Sequence, residues 1–242
     1  MLLNARSKRS RVAAALGVAL LAVVAGCKPS GSSEQKGEGT PPASASAVPM
    51  GSGFDFYVLS LSWSPSYCEA DEQEANSQQC RGGRPYAFVV HGLWPQYERG
   101  YPQDCPTNRP RVPGPKARNL LDIMPAIGLV GHEWRKHGTC SGLSQQDYFK
   151  VLRAARERVN IPPEYRRLDD YLTPDPLDVE RAFLRDNPGI PADGIAVTCD
   201  RRYLREVRIC MTKDLSFRQC DEVDRRDACR LPKVVMPPVR GG

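Results

Sequence analysis

From residue 54 onward the chain alternates short apolar runs with polar, proline-marked breaks. Phe56-Tyr57-Val58-Leu59-Ser60-Leu61-Ser62-Trp63 is rich in aromatic and aliphatic residues and reads as a buried strand that stops at Ser64-Pro65. Residues 66–84 read as a polar loop. Tyr86-Ala87-Phe88-Val89-Val90 reads as a second strand that delivers His91 at its end, where a strand commonly hands a functional residue to a loop. The prolines and glycines of 95–117 predict an ordered loop, and 120–124 a short helix broken at Pro125. Ser144 is a plausible N-cap with Asp147 three residues on, and Tyr148, Val151, Leu152, Ala155 and Val159 then fall on one helical face. Pro162-Pro163 stops that helix. Asp175-Pro176 opens another, with Val179, Ala182 and Phe183 inward, and Asn187-Pro188-Gly189 closes it. Residues 195–199 and 203–211 read as strands; in the second, Tyr203, Arg205, Val207, Ile209 and Met211 share one side. Residues 217–220 are expected to return as a hairpin strand. Strands, then helices, then strands predict an α+β domain with an antiparallel sheet.

The N-terminal part follows other rules. Residues 1–11 are basic, 12–25 are apolar, and Gly26-Cys27 follows, which is the pattern of a signal peptide and too short to span a membrane comfortably. Val24-Ala25-Gly26-Cys27 resembles the lipobox of bacterial lipoproteins, which implies cleavage before Cys27 and lipid on its sulfur. The competing reading is an ordinary secretory peptide with an incidental cysteine. The Gly, Ser and Pro content up to residue 53 has too little apolar surface to fold and reads as a tether. The expected organisation is therefore 1–26 as lipoprotein-type signal peptide, 27–53 as flexible tether, 54–232 as the folded domain and 233–242 as a tail. The domain is expected outside the cytoplasm, in the periplasm or cell envelope, touching membrane only through Cys27.

At 242 residues, one domain remains after that segment is removed. The net charge of +6 falls to +2 once Arg6, Lys8, Arg9 and Arg11 are set aside, so the domain is mildly basic and not a polycation. Cysteine says more. Beyond Cys27, the eight residues Cys68, Cys80, Cys105, Cys140, Cys199, Cys210, Cys220 and Cys229 read as four disulfides of an exported protein. Spacing alone leaves about 105 pairings open for eight cysteines. No C-x-x-C pair occurs, which argues against a zinc cage.

The chain has three histidines, and two of them lie in His132-Glu133-Trp134-Arg135-Lys136-His137-Gly138-Thr139-Cys140. If these share a helix, with His132 at zero, Lys136 falls at about 40°, Glu133 at about 100° and His137 at about 140°. Trp134, at about 200°, is free to pack inward. His132 and His137 are five apart instead of the four of H-E-x-x-H, which spreads them too far to chelate one ion easily, and Lys136 would repel a cation. General acid–base chemistry fits better, because two imidazoles can give and take a proton near neutrality while a lysine and a carboxylate steady the charge. With no serine or cysteine in an elbow context, the nucleophile must come from substrate or water. RNA supplies one in its 2′-hydroxyl.

The third histidine lies in Phe88-Val89-Val90-His91-Gly92-Leu93-Trp94-Pro95. Together with 132–140, this segment resembles the two active-site segments of the ribonuclease T2 family, and the similarity extends to Tyr67-Cys68 and to Leu204-Arg205-Glu206-Val207-Arg208-Ile209-Cys210, covering about residues 54–230. The resemblance implies an α+β sheet with helices packed on one side, disulfide-stabilised. It implies a metal-independent endoribonuclease, without cofactor, that cleaves single-stranded RNA to a 2′,3′-cyclic phosphate, with hydrolysis to a 3′-phosphate as an optional second step. By position, His137 would be the base, His91 the acid, Glu133 and Lys136 the stabilisers of the phosphorane, and His132 a phosphate ligand; acid and base exchange between steps. Trp94 would either stack on a base or pack in the core. The implied disulfides are Cys68–Cys80, Cys105–Cys140, Cys199–Cys229 and Cys210–Cys220. Plant members carry glutamines in the first strand where this chain has Leu59-Ser60-Leu61-Ser62, so weak base preference is expected, in a monomer. The alternatives from other classes are a metal hydrolase and a binding protein that keeps the fold without the chemistry.

Overall fold

The computed structural model describes residues 48–70 and 77–240, so the expected signal peptide, the lipidation at Cys27 and most of the tether lie outside the described residues. Four strands form one antiparallel sheet: β1 (Phe56–Trp63), β2 (Phe88–Gln96), β3 (Ile195–Cys199) and β4 (Leu204–Met211), in the order β2-β1-β4-β3. β1 is central and buried along nearly its whole length. Its two faces differ. Tyr57, Leu59, Leu61 and Trp63 join the main core, with Val207, Ile209 and Met211 of β4. Phe56 and Val58 belong to a smaller cluster with Ala196, Cys210, Cys220 and Val223. Farther along that second side stand Ser60 and Ser62, and there the sheet turns polar.

The helices are, in chain order, the short α1 (Ser64–Ala70), α2 (Ser77–Cys80) and α3 (Gly114–Arg118), then α4 (Ile127–Lys136), α5 (Gln145–Glu157) and α6 (Pro176–Asp186), and α3 to α6 supply side chains to the main core. The Ser144 cap forms as expected: its hydroxyl accepts from the Asp147 amide at 3.2 Å and donates to the Asp147 carboxylate at 2.7 Å. The Asp175 carboxylate caps α6 by accepting from the Leu177 amide at 2.9 Å, with Pro176 in the first turn. Tyr148, Val151, Leu152 and Ala155 of α5, and Val179, Ala182 and Phe183 of α6, pack on the sheet. A seventh helix, α7 (Asp221–Asp227), lies on the other face, where Val223 covers the small cluster.

Several local expectations give way. The segment after β1 is helical at both ends instead of a loop, because Ser64 and Pro65 open a helix as readily as they close a strand. The helix placed at 120–124 sits six residues earlier, with Pro115 in its first turn. Residues 217–220 form no strand: one bridge joins Met211 to Phe217, and the Cys210–Cys220 bond then holds the return. In β4 the main-core side begins with Leu204, because a register shift at Thr198/Cys199 breaks the alternation assumed from Tyr203 and Arg205. Residues 233–240 are not a tail. Val234 and Met236 are buried, Met236 bridges Leu172, and the Trp63 indole donates to the Pro237 carbonyl at 3.1 Å. At the other end the Ser52 amide donates to the Ser141 carbonyl at 2.9 Å, so the domain's contacts begin before residue 54.

Sulfur–sulfur bonds join Cys68–Cys80, Cys105–Cys140, Cys199–Cys229 and Cys210–Cys220. The second ties the proline-rich loop 97–113 to the turn that follows α4. That loop is further held by Gly100, whose amide donates to Glu222, and by the Trp134 indole, which donates to the Arg109 carbonyl at 2.7 Å.

Candidate active site

His91 is not at the end of β2 but inside it. β1 pairs Ser60 with Gly92 and Leu61 with Val90, so His91 is the extra residue of a β-bulge. A bulge re-aims one side chain without ending the strand. Here it turns the imidazole toward β4 and α4. β2 is an edge strand, which tolerates both the bulge and Pro95. Gly92 follows because nothing larger fits: a Cβ there would collide with the Glu133 carboxylate and the Trp94 indole nitrogen.

α4 supplies the second segment. Val130 and Trp134 anchor it in the main core, which turns Glu133 and His132 toward the sheet's polar end. The helix stops at Lys136. His137 leaves helical geometry at φ −120°, although its amide still donates to the Glu133 carbonyl at 3.0 Å. Gly138 lets the following 3-10 turn (Gly138–Ser141) press against Trp134 and Tyr148, where a Cβ would clash. The single helical arc drawn from the sequence therefore holds through Lys136, and His137 reaches the cleft by a different backbone turn.

These segments converge. His91, Trp94, His132, Glu133, Lys136 and His137 all line one cavity of about 610 Å³. A second cavity of about 450 Å³ opens on the far side of His91 and His132, lined by Tyr67, Gln79 and Arg205 among others. Trp94 is half-buried. Its indole donates to Glu133 Oε2 at 2.7 Å, and its ring lies 5.3 Å from that of His137 and 5.4 Å from that of His91. It is thus a strut between the two motifs, neither free in the cleft nor part of the main core. Trp134, by contrast, is core as expected.

β4 brings two residues that the motif reading did not single out. Glu206 accepts a short hydrogen bond from His91 Nδ1, and its other oxygen takes Arg208 Nε at 2.8 Å. The Arg208 guanidinium lies 5.0 Å over the Trp94 ring. Glu206 and Arg208 pair across the sheet with Ser62 and Ser60. Alternation along β4 was the available signal: with Val207 and Ile209 inward, Glu206 and Arg208 must share the opposite side.

The electrostatics are uneven. Burial works against charge on His91, but the Glu206 hydrogen bond and charge, with Glu133 Oε1 3.6 Å from Nε2, outweigh it and hold its pKa above the usual value. Glu206 is depressed: burial opposes its ionisation, and His91 and Arg208 overcome that. Glu133, almost wholly buried, is pushed up to about 7 by burial, against the pull of His91 and Trp94. His137 goes the other way. Burial, then the charge of Lys136, lowers it to about 3, and its Nδ1 is buried without a hydrogen-bond partner. His132 is exposed and lowered by partial desolvation and by its basic neighbours Lys136 and Arg135. The site can therefore hold one charged imidazole and one neutral imidazole at the same pH, with a lysine and an arginine facing the space between.

The model of the Ribonuclease T2 family matches residues 54–220 of this chain. The chain belongs to the ribonuclease T2 family. It is 35% identical over 206 residues to a ribonuclease of Aeromonas hydrophila, covering 77% of this chain and 87% of that one. It is 25% identical over 204 residues to ribonuclease I of Escherichia coli strain K12, covering 66% and 76%. Among solved structures, RNase NT in complex with 5′-AMP superposes with a TM-score of 0.60 at 23% identity, covering 77% of this chain and all of that one. RNase MC1 carrying Y101A, in complex with 5′-UMP, gives 0.59 at 23% identity, covering 76% and 98%. The four-stranded sheet and its flanking helices are thus the ribonuclease T2 fold, and the protein is an endoribonuclease of that family.

Proposed function

We propose that this ribonuclease T2 protein cleaves single-stranded RNA without a metal, with His137 as base and His91 as acid in the first step. The observation that carries the assignment is the opposed surroundings of the two imidazoles, with a carboxylate near each ring nitrogen of His91 and no partner on the buried Nδ1 of His137. A base must start neutral, and His137 is held neutral by burial. An acid must start protonated, and His91 is held protonated by its carboxylates. His137 takes the 2′-hydroxyl proton, and the oxygen attacks the adjacent phosphorus. The bond to the 5′-oxygen breaks, and His91 Nε2 gives that oxygen its proton. The products are a 2′,3′-cyclic phosphate and a free 5′-hydroxyl. Lys136 and His132 meet the phosphate and stabilise the added negative charge of the phosphorane, while Glu133 acts through His91 Nε2. In hydrolysis of the cyclic product the two histidines exchange roles, with water as nucleophile.

A single strand is required because attack in line with the leaving oxygen needs a backbone that an A-form helix does not offer. The half-exposed Tyr101 in the cavity provides a surface on which an unstacked base can rest. β1 offers Ser60 and Ser62 on its polar side instead of glutamines, which supports weak base preference. The test is cleavage of a single-stranded oligonucleotide in EDTA with analysis of the ends. Cyclic phosphate ends, and no cut at a position carrying a 2′-deoxy sugar, are the expected result. Loss of cutting with chelator, or cutting at the deoxy position, contradicts the reading.

We further propose that the protein works outside the cytoplasm, anchored by lipid at Cys27. Four disulfides require an oxidising compartment, and residues 1–27 carry the export and lipobox pattern. Membrane fractionation checks it. The Cys27→Ala protein is expected in the soluble fraction and the parent with membranes; equal distribution removes the anchor.

A further inference from the structure

We propose that Glu206 of β4, braced by Arg208, is the positioning residue of the acid His91, so that the active site is built from three chain segments and not two. The inference rests on the proposed acid role of His91. Ionised Glu206 can only accept a hydrogen bond, so its contact with His91 Nδ1 requires the proton on that nitrogen. The other nitrogen, Nε2, is then the one that gains and loses a proton, and it is the nitrogen that faces Glu133 and the cleft. Glu206 therefore fixes which nitrogen reacts and where the ring points. It also supplies negative charge to an imidazole that must return to its protonated form after each turnover.

Geometry makes this arrangement rigid. Glu206 is buried, between Ser62 of β1 and Thr198 of β3 in the sheet register. Arg208 grips the oxygen that His91 does not use, by Nε and by a second nitrogen, both at 2.8 Å, and lies over Trp94. A chain of contacts therefore runs from Trp94 through Arg208 and Glu206 to His91, and Trp94 returns it to Glu133. The groups that face or flank His91 are Glu133, His132 and Lys136 of α4, His137 beyond it, Glu206, Arg208 and Arg205 of β4, and Tyr67 of α1, with Arg226 of α7 and Tyr101 across the same cavity. Only the Glu206 carboxylate meets Nδ1, while Glu133 stands on the Nε2 side. Replacing Glu206 thus leaves the rest of this electrostatic surround in place.

The variant Glu206→Gln keeps the shape and an accepting oxygen but removes the charge. The expected result is a kcat/KM profile whose alkaline limb moves to lower pH while its acid limb stays put. The rate above the shifted limb falls about tenfold for each pH unit of movement. KM changes little and kcat carries the loss. Glu206→Asp keeps the charge and returns the limb toward its original position, a rescue that a purely structural role would not produce. Superimposable profiles for Glu206→Gln and the parent overturn the proposal. A titration of the imidazole resonances gives a reading that needs no RNA cleavage and no variant: with three histidines in the chain the signals separate. Parent His91 carrying its neutral-state proton on Nδ1 supports the pairing, and a proton on Nε2 overturns it. Failure of the acid assignment itself looks different: His91→Ala then retains its rate, while the tautomer of His91 is unaffected.

Discussion

His91 sits in a strand bulge with a carboxylate near each ring nitrogen, whereas His137 sits at a helix end with no partner on its buried Nδ1. About a third of the His91 side chain is exposed and its pKa is raised; His137 is 7% exposed and its pKa is lowered. Exposure alone does not set an imidazole's state, because His132 is the most exposed of the three and is lowered as well. A carboxylate in hydrogen-bond contact outweighs the desolvation that accompanies it, and where no carboxylate compensates, burial wins. In the mechanism we propose, the same residue type serves two opposite proton roles in one cleft.

The sharpest way to break the comparison is to delete either ring. His91→Ala and His137→Ala are each expected to lower kcat by roughly 10²- to 10⁴-fold, with near-native circular dichroism. The double variant should be little worse than the singles, because the two act as a unit. Near-parent rates in either single variant would break the scheme. The next largest effect is expected at Gly92. A Cβ there pushes Glu133 and Trp94 off the strand, so Gly92→Ala should cost about 100-fold in kcat and roughly 1–3 kcal/mol of stability in urea. An unchanged rate would mean that the Glu133–Trp94 contact is dispensable.

Stability against pH separates the two histidines in sign. The pKa of His137 is depressed in the fold, so its contribution is present above its unfolded value near 6.5 and is lost as pH falls toward about 3. His91 is raised, so its contribution is present below that value and fades as pH rises through the folded pKa. Between pH 7 and pH 4, His137→Phe should lose less thermal stability than the parent, and His91→Phe should lose more. Identical slopes would erase the distinction. The smallest effect is expected away from the site. Ser144→Ala removes the α5 cap and should cost about 1 kcal/mol with kcat unchanged, measured by urea denaturation and steady-state cleavage.

Much of the site could be read from the chain because its chemistry is packed into two short runs. Glu133, Lys136 and His137 are close neighbours in sequence, and His91 stands in a run that begins with buried strand residues. What could not be read depends on pairing between distant strands. The bulge exists only because Ser60 takes Gly92 and Leu61 takes Val90. Glu206 matters only because β4 lies beside β1 and points it back at His91. Alternation along β4 predicts that Glu206 and Arg208 share a side, but not what they face. The α5 and α6 caps were legible for the opposite reason: both are local hydrogen bonds within three residues. The hairpin strand expected at 217–220 failed on long-range grounds too, since a disulfide and α7 take the chain away after one bridge.

The division of labour between the two histidines is tested most directly by following the imidazole resonances of the parent protein across pH. His137 should remain neutral well below pH 6 and His91 should remain charged above pH 6.5, the ordinary value for the side chain. Two rings titrating together near that ordinary value, or His137 proving the more basic of the pair, would contradict the account.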